Sequence, residues 1–407
     1  MTMNGLKTGL GAIPRGIWVL GFVSMLMDIS SEMIHALLPV YLVTAFGASA
    51  LAVGIIEGIA EATASITKIF SGALSDRLGK RKVLAALGYG LAAVTKPVFP
   101  LATDLVAIVS ARFIDRVGKG IRGAPRDALV ADIAPAELRG ASYGLRQGLD
   151  TIGAVVGPLL AVLLMWLTAN AFQVVFWAAV IPAFLSFFLI SFAVKEPERP
   201  SGLRRVAVPL APSELRALGT RYWLVVAIAA LFTLARFSEA FLILRANADA
   251  LPVMLVPLVL VGMNLVYTAS AYPAGALSDR MDPNRLLGLG MVVLIAADLV
   301  LALVPGFLGL GLGVALWGLH MGLTQGLFAK LVADSVPAEL RGTGFGMFNL
   351  VSGIAMLLAS VIAGGLWDAT GPGTTFLAGA GFAGLALIAL LGLKKRIAPQ
   401  PSARLRM

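Results

Sequence analysis

The 407 residues contain no cysteine, which excludes disulfides, thiolate metal sites and cysteine nucleophiles. Histidine is nearly as scarce, with only His35 and His320, so there is neither a His-rich metal tail nor a paired-His motif. Charge is thin. Asp, Glu, Lys and Arg make up 13% of the chain against 58% hydrophobic residues, where soluble domains carry roughly a quarter charged. No G-x-x-x-x-G-K-[ST] loop occurs, which argues against ATP-driven work by this chain alone. No catalytic residues and no resident cofactor are expected, so the chain reads as no enzyme. Nor is a cleavable signal peptide expected. The first apolar run begins near Ile17, is too long for a signal h-region, and carries Asp28 and Glu32.

What is present is apolar sequence in long runs. Twelve of them approach the roughly 20 residues that a spanning helix needs. They lie near 17–42, 50–74, 83–101, 105–127, 142–167, 172–194, 222–244, 254–277, 286–304, 307–332, 343–366 and 376–393, numbered here as helices 1 to 12. The expected class is an all-α integral membrane protein with twelve transmembrane helices. The loops near 43–50, 98–104, 168–171, 245–252, 305–306 and 367–375 hold Arg245 as their only Lys or Arg. The alternate loops and both termini hold nearly all the rest, including Lys7, Arg15, Lys80, Arg81, Lys82, Arg204, Arg205, Arg285, Lys394 and Lys395. The positive-inside rule puts these, and both termini, in the cytoplasm, as in a bacterial inner-membrane protein. That asymmetry accounts for the net charge of +10 without a nucleic-acid partner.

The chain also repeats itself. Gly72-Ala-Leu-Ser-Asp76-Arg77 recurs as Gly275-Ala-Leu-Ser-Asp279-Arg280, and Ala131-Asp132-Ile-Ala-Pro135-Ala-Glu137-Leu-Arg139-Gly140 recurs as Ala333-Asp334-Ser-Val-Pro337-Ala-Glu339-Leu-Arg341-Gly342. The offsets are 203 and 202 residues. Six helices are therefore duplicated in parallel. Residues 1–194 form an N-terminal six-helix bundle, 195–221 a Pro-rich cytoplasmic linker, and 222–407 a C-terminal bundle and tail. Two pseudo-symmetric bundles around a central cavity are the architecture of alternating-access carriers.

Helix 4 departs most from the apolar background. Arg112, Asp115, Arg116, Lys119, Arg122 and Arg126 fall on one face at helical spacing, opposite Phe113, Val117, Ile121 and Ala124. Charge at bilayer depth survives only where it faces protein or a water-filled cavity. Helix 1 offers Asp28, Glu32 and His35 on one face, and helix 2 offers Glu57, Glu61 and Lys68 on another.

Gly72-Ala-Leu-Ser-Asp76-Arg77-Leu-Gly79-Lys80-Arg81-Lys82 resembles the signature loop between helices 2 and 3 of the major facilitator superfamily (MFS). The resemblance extends over the whole chain, through helix count, linker and the duplicated half-signature. Arg116-Val-Gly118-Lys119-Gly120-Ile-Arg122-Gly123-Ala124 is similar to the family's helix-4 motif, whose arginine is linked to proton coupling. Gly153-Ala-Val-Val-Gly157-Pro158 resembles the helix-5 motif of its antiporters. The resemblance implies gating by Gly72, Asp76 and Arg77, with Asp76 pairing with Arg341, and Asp279 with Arg139. It also makes helices 1, 2 and 4 neighbours. A network of Asp28, Glu32, Glu57 and Glu61 against Arg112, Arg116 and Lys119 is then expected, because isolated buried charges are very costly. Burial raises the proton affinity of a carboxylate and a neighbouring cation lowers it. A carboxylate that changes partners can therefore carry a proton, and Asp28, Glu32 and Glu61, with Arg116, are the candidates.

The second half is quieter. Arg236 and Glu239 on helix 7, Asn264 on helix 8, His320 and Gln325 on helix 10 and Asn349 on helix 11 are expected to read substrate together with His35. A hydrogen-bonded cavity role for the histidines is preferred to metal ligation, and no metal site is assigned. Lys96 on helix 3 and Asp298 on helix 9 have no evident role. The expected function is a secondary active transporter, monomeric and driven by the proton gradient, exporting a small toxic solute such as a drug-like compound or metal ion. The alternatives are an organic-anion carrier and, behind it, a lipid flippase or transporter-like sensor.

Overall fold

The computed structural model describes residues 13–78, 80–135, 138–196, 212–278, 281–336 and 340–397. These are almost wholly helical. Helix 1 spans Arg15–Phe46 in two segments, Arg15–His35 and Leu38–Phe46. Helix 2 is Ala50–Leu78, helix 3 Arg81–Leu101 in two segments, helix 4 Leu105–Ile133, helix 5 Arg139–Leu167 and helix 6 Phe172–Ala193. After the short helix Pro212–Ala217, helix 7 spans Gly219–Ala248 in two segments, broken between Ala235 and Ala240. Helices 8 to 12 are Leu258–Ser278, Pro283–Leu303, Gly306–Ser335, Arg341–Thr370 and Pro372–Ile397.

Among the described residues, eleven of these helices are long and apolar enough to cross a membrane. Helix 4 has the length, 29 residues, but its charged stripe sets it apart in composition. Large apolar side chains stand open along the helices, among them Phe192 at 83% exposure and Leu308 at 71%. A soluble protein would bury them, and a bilayer does.

Three helices expected to be continuous are interrupted. Helix 1 breaks at Ala36-Leu37, ahead of Pro39, which has no N–H to give the carbonyl four residues back and whose ring crowds that carbonyl. Helix 3 breaks at Lys96-Pro97 for the same reason. Helix 7 breaks at Arg236–Glu239 without a proline. There Ser238 N–H is taken by Ser360 Oγ of helix 11 at 3.2 Å, and Ser238 Oγ accepts from Ala240 N–H at 3.2 Å.

Contacts divide the chain into two compact units that do not follow the sequence halves. One holds Met1–His35 and Thr67–Val206, the other Ala36–Ile66 and Ala207–Met407. In the first, helix 1 packs on helices 5 and 6, and helix 3 on helices 4 and 6. Its core is Ile17, Leu20, Val23 and Met27 against Tyr89, Ala92, Ile190 and their neighbours. In the second, helix 7 packs on 11 and 12, and helix 9 on 10 and 12. The same pairings recur at the repeat offset, as a duplicated helix set requires. Within this second unit, the 36–66 segment packs against helices 7 and 11.

Candidate functional site

The charged face of helix 4 is turned inward. Arg112, Asp115, Arg116 and Arg122 are all buried, while Phe113 and Ile114 on the other side are open. The helix starts cleanly, with Asp104 Oδ1 accepting from Ala107 N–H at 2.8 Å. Glycines then let its neighbours come close. A Cβ on Gly118 would lie 2.7 Å from the Gly88 carbonyl oxygen of helix 3, and Ser71 Oγ of helix 2 donates to the Gly120 carbonyl at 2.8 Å. Gly72 meets Ala124 there.

Arg112, Asp115, Arg122 and Arg126 of the stripe each have an identifiable neighbour. Arg112 donates to His35 Nδ1 at 2.8 Å. A guanidinium has no acceptor, so Nδ1 must present its lone pair and the ring proton sits on Nε2. Asp115 pairs with Lys96 Nζ at 2.9 Å, with both side chains nearly inaccessible. Ser31 Oγ accepts from the same ammonium at 3.2 Å. Lys96 thus belongs to the interior of the bundle. Arg122 lies over the Tyr89 ring at 5.0 Å, a cation–π placement, and Tyr89 hydroxyl is 3.2 Å from Ser24 Oγ.

One turn further on, a cluster joins helices 1, 4 and 5. Arg126 donates to Ser24 Oγ at 2.9 Å and to Asp127 Oδ1 at 3.2 Å, and it stands 3.9 Å from Asp150. Arg146 donates to Asp150 Oδ2 at 2.6 Å and lies 3.8 Å from Asp127. Asp28 feels the charges of Asp150, Arg126, Arg122 and Lys119. Helix 5 comes this near because of Gly153 and Gly157. A Cβ on Gly153 would meet the Met25 carbonyl at 2.7 Å and Asp28 Cβ at 3.0 Å. One on Gly157 would meet the Ile29 carbonyl at 2.7 Å and Glu32 Cβ at 2.9 Å. The two glycines seat helix 5 directly on the acidic face of helix 1.

Asp28 and Glu32 are half-buried on helix 1 and Lys119 is open. Glu57, fully buried, and Glu61, half-buried, belong to the second unit with their part of helix 2. Arg236 at the helix-7 break lies within electrostatic reach of Glu239 and Tyr267. Asn264 and Asn349 are half-buried on helices 8 and 11. His320 is fully buried, edge-on to Trp317 at 5.3 Å and to Phe232 at 6.3 Å. Asp279 lies outside the described residues, and so do the side chains of Asp76, Arg77, Arg139, Gln325 and Arg341. No group of three or more His, Cys, Asp or Glu that could hold a metal ion occurs among the described residues.

Arg146 and Asp150 were absent from the sequence expectation. The signal was available, since two opposite charges at i, i+4 inside an apolar run are costly without a purpose. Asp298 lies 202 residues after Lys96, the offset of the second repeat. It is fully buried against Gly379 of helix 12 and has no hydrogen-bond partner among the described residues. The repeat alone would have paired these two positions.

Comparisons with known proteins bear on the chain as a whole. The chain matches the family model described as Major Facilitator Superfamily over residues 20–359 and again over 247–406. An MFS-type transporter of Methanocaldococcus jannaschii is 34% identical over 377 residues, covering 90% of this chain and 92% of that one. A multidrug resistance protein, MdtH, of Photorhabdus laumondii is 29% identical over 162 residues, 40% of this chain and 39% of that one. Among solved structures, a bacterial homologue of the human lysosomal transporter Spinster, inward-facing and unoccupied, matches with TM-score 0.77 at 16% identity. It covers 98% of this chain and 100% of that one.

Proposed function

The chain belongs to the major facilitator superfamily, and from that premise we propose that it is a proton-driven exporter of a small toxic solute, working by alternating access. The observation that carries this reading is the Arg126–Asp127–Arg146–Asp150 cluster beside Asp28. Packing alone would be served as well by apolar side chains, since buried ion pairs are weak contributors to stability. Five charges from three helices, gathered around shared oxygens, give a proton somewhere to go when partners change. Asp28 and Glu32, with Glu61 and Arg116 as further members, take the proton-coupling role, and Glu57, Arg112 and Lys119 complete the network.

In this reading the sequence halves 1–194 and 222–407 move about the 195–221 linker. The cytoplasmic side is locked by Asp76 with Arg341 and Asp279 with Arg139, and both termini lie in the cytoplasm of a bacterial cell. His35, Arg236, Glu239, Asn264, His320, Gln325 and Asn349 contribute to recognition. The protein acts as a monomer in the inner membrane, with the proton gradient as energy source and no resident cofactor. The name of the MdtH relative supports export of drug-like compounds. A second reading, an organic-anion carrier, rests on the basic stripe of helix 4.

The test is a resistance profile in an efflux-deficient bacterial host. It compares wild type with Asp28→Asn and Arg116→Ala against nickel, cobalt, zinc, iron, arsenicals and lipophilic cations. Protection against one class that both variants lose supports the exporter and names its substrate class. No protection from well-expressed protein sinks the exporter reading and favours the organic-anion carrier, which anion uptake in proteoliposomes then tests.

A further inference from the structure

Helix 2 begins with its backbone donors held in an unusual way. A helix leaves its first four N–H groups without partners in its own turn. Here Val53 N–H goes to the Ser49 carbonyl at 3.0 Å and Ala52 N–H to Ser49 Oγ at 3.2 Å. The other two leave the segment altogether. Asp368, in the last turn of helix 11, accepts Ala50 N–H on Oδ1 and Leu51 N–H on Oδ2, each at 2.9 Å. A carboxylate on a helix N-terminus gains from both hydrogen bonds and from the helix dipole.

Below this clasp the two helices touch through glycines. A Cβ on Gly364 would lie 2.6 Å from the Ala50 carbonyl oxygen and from Leu51 Cα, which are backbone atoms. One on Gly58 would meet Leu357 at 2.9 Å, and one on Gly54 would strike the Ser360 carbonyl. Ser360 is also the residue whose hydroxyl holds Ser238 at the helix-7 break, and Phe241, just past that break, reaches Gly54. The contact therefore joins three helices at one end, away from the Gly72–Arg77 loop. The sequence places helix 2 in the first half of the chain and helices 7 and 11 in the second.

We propose that Asp368 is a gate residue of the transport cycle, latching the extracytoplasmic ends of helices 2 and 11 together. This rests on the alternating-access reading above. In it, the latch must release each time the binding site turns outward. Because Asp368 is itself exposed, water competes for its oxygens, and the latch is weak enough to open. The glycine seam supplies close packing but no lock of its own.

Glu196 provides an internal control. It caps helix 3 in the same manner, accepting Arg81 N–H at 2.7 Å and Lys82 N–H at 2.9 Å, but entirely within the first unit. Losing that cap should weaken the fold without touching the latch.

The experiment uses the cysteine-free background. Ile55→Cys and Ile362→Cys, both at 38% exposure near the seam, carry spin labels for pulsed distance measurement in nanodiscs. The parent should give a mainly short distance. Asp368→Ala should enlarge the long-distance population about five- to tenfold, the size of a lost helix cap. Asp368→Asn, with one acceptor oxygen left, should fall between, and it carries the test if the alanine variant misfolds. Gly364→Ala should shift the population the same way by steric means, and Glu196→Ala should not. If Asp368→Ala matches the parent while Gly364→Ala shifts, Asp368 is no latch and alternating access stands. A shift in Glu196→Ala equal to that in Asp368→Ala also overturns the latch, as general loosening. If no protein gives a long distance at any pH or with any transported compound, alternating access fails and the latch falls with it.

Discussion

Lys96 Nζ and Asp115 Oδ1 sit 2.9 Å apart, with 2% and 3% of the two side chains exposed. Helix 3 breaks at this lysine because Pro97 follows it, and the break turns the ammonium toward helix 4. There it meets the single acid on a basic stripe and Ser31 of helix 1. The pair ties three helices at one point.

Removing the acid alone should therefore be far worse than removing both partners. Asp115→Leu alone should lower stability by about 3–5 kcal/mol, since it leaves the Lys96 ammonium buried near Arg112 and Arg122 with no carboxylate, and Lys96→Met should cost less, since Asp115 keeps Arg116, Arg122 and Arg112 as neighbouring charges. The double substitution should recover most of that loss, because apolar replacements of similar size often match a buried pair. Unfolding midpoints of purified protein in detergent measure this. Losses that simply add would show that the two groups do not depend on one another.

The glycines of helix 5 allow a comparison on one helix. Gly157→Ala drives a Cβ to 2.7 Å from the Ile29 carbonyl oxygen, so the helix 1–5 seam must open. Overpacking of this kind costs about 1–3 kcal/mol. Gly148 has no atom within 4 Å of the same position, so Gly148→Ala should be neutral or stabilising by up to about 1 kcal/mol. Thermal melts of the two variants should move apart. Equal melts would mean that helices 1 and 5 are not in tight contact.

Much of this was legible in the sequence. Twelve apolar runs and two repeats give the helices and their duplication, because burial in lipid constrains every residue of a span alike. The basic stripe also announces its own inward face, since lipid excludes it. Pairings were harder to read. Spacing tells which residues share a helix face but not which helix faces it, so Asp115 could not be matched to Lys96, nor Arg112 to His35. The helix-7 break was invisible because no proline marks it, and Ser360, more than a hundred residues away, completes its hydrogen bonds. Asp368 fell in a segment read as loop, although helix 11 continues through it to Thr370.

A last prediction concerns Arg126, which the sequence offered only as the final member of the stripe. Its planar fork reaches Ser24, Asp127 and the neighbourhood of Asp150 at once. Lysine keeps the charge but gathers its three donors on one nitrogen and cannot span those partners. Arg126→Lys should therefore leave the protein folded while freeing Asp150 from one of its two cations. Asp150→Asn removes the carboxylate from the other side of the same contact. In proteoliposomes each change should reduce accumulation driven by an imposed pH gradient by at least about tenfold, a ΔΔG of about 1.4 kcal/mol. Exchange of labelled for unlabelled substrate at equal pH should persist, because it needs the conformational change but no net proton movement. The double variant should be no worse than either single one, as for groups that act as a unit. Additive losses would mean that Arg126 and Asp150 serve transport separately. Loss of exchange together with pH-driven transport would place both residues in the packing of helices 1, 4 and 5, outside proton coupling.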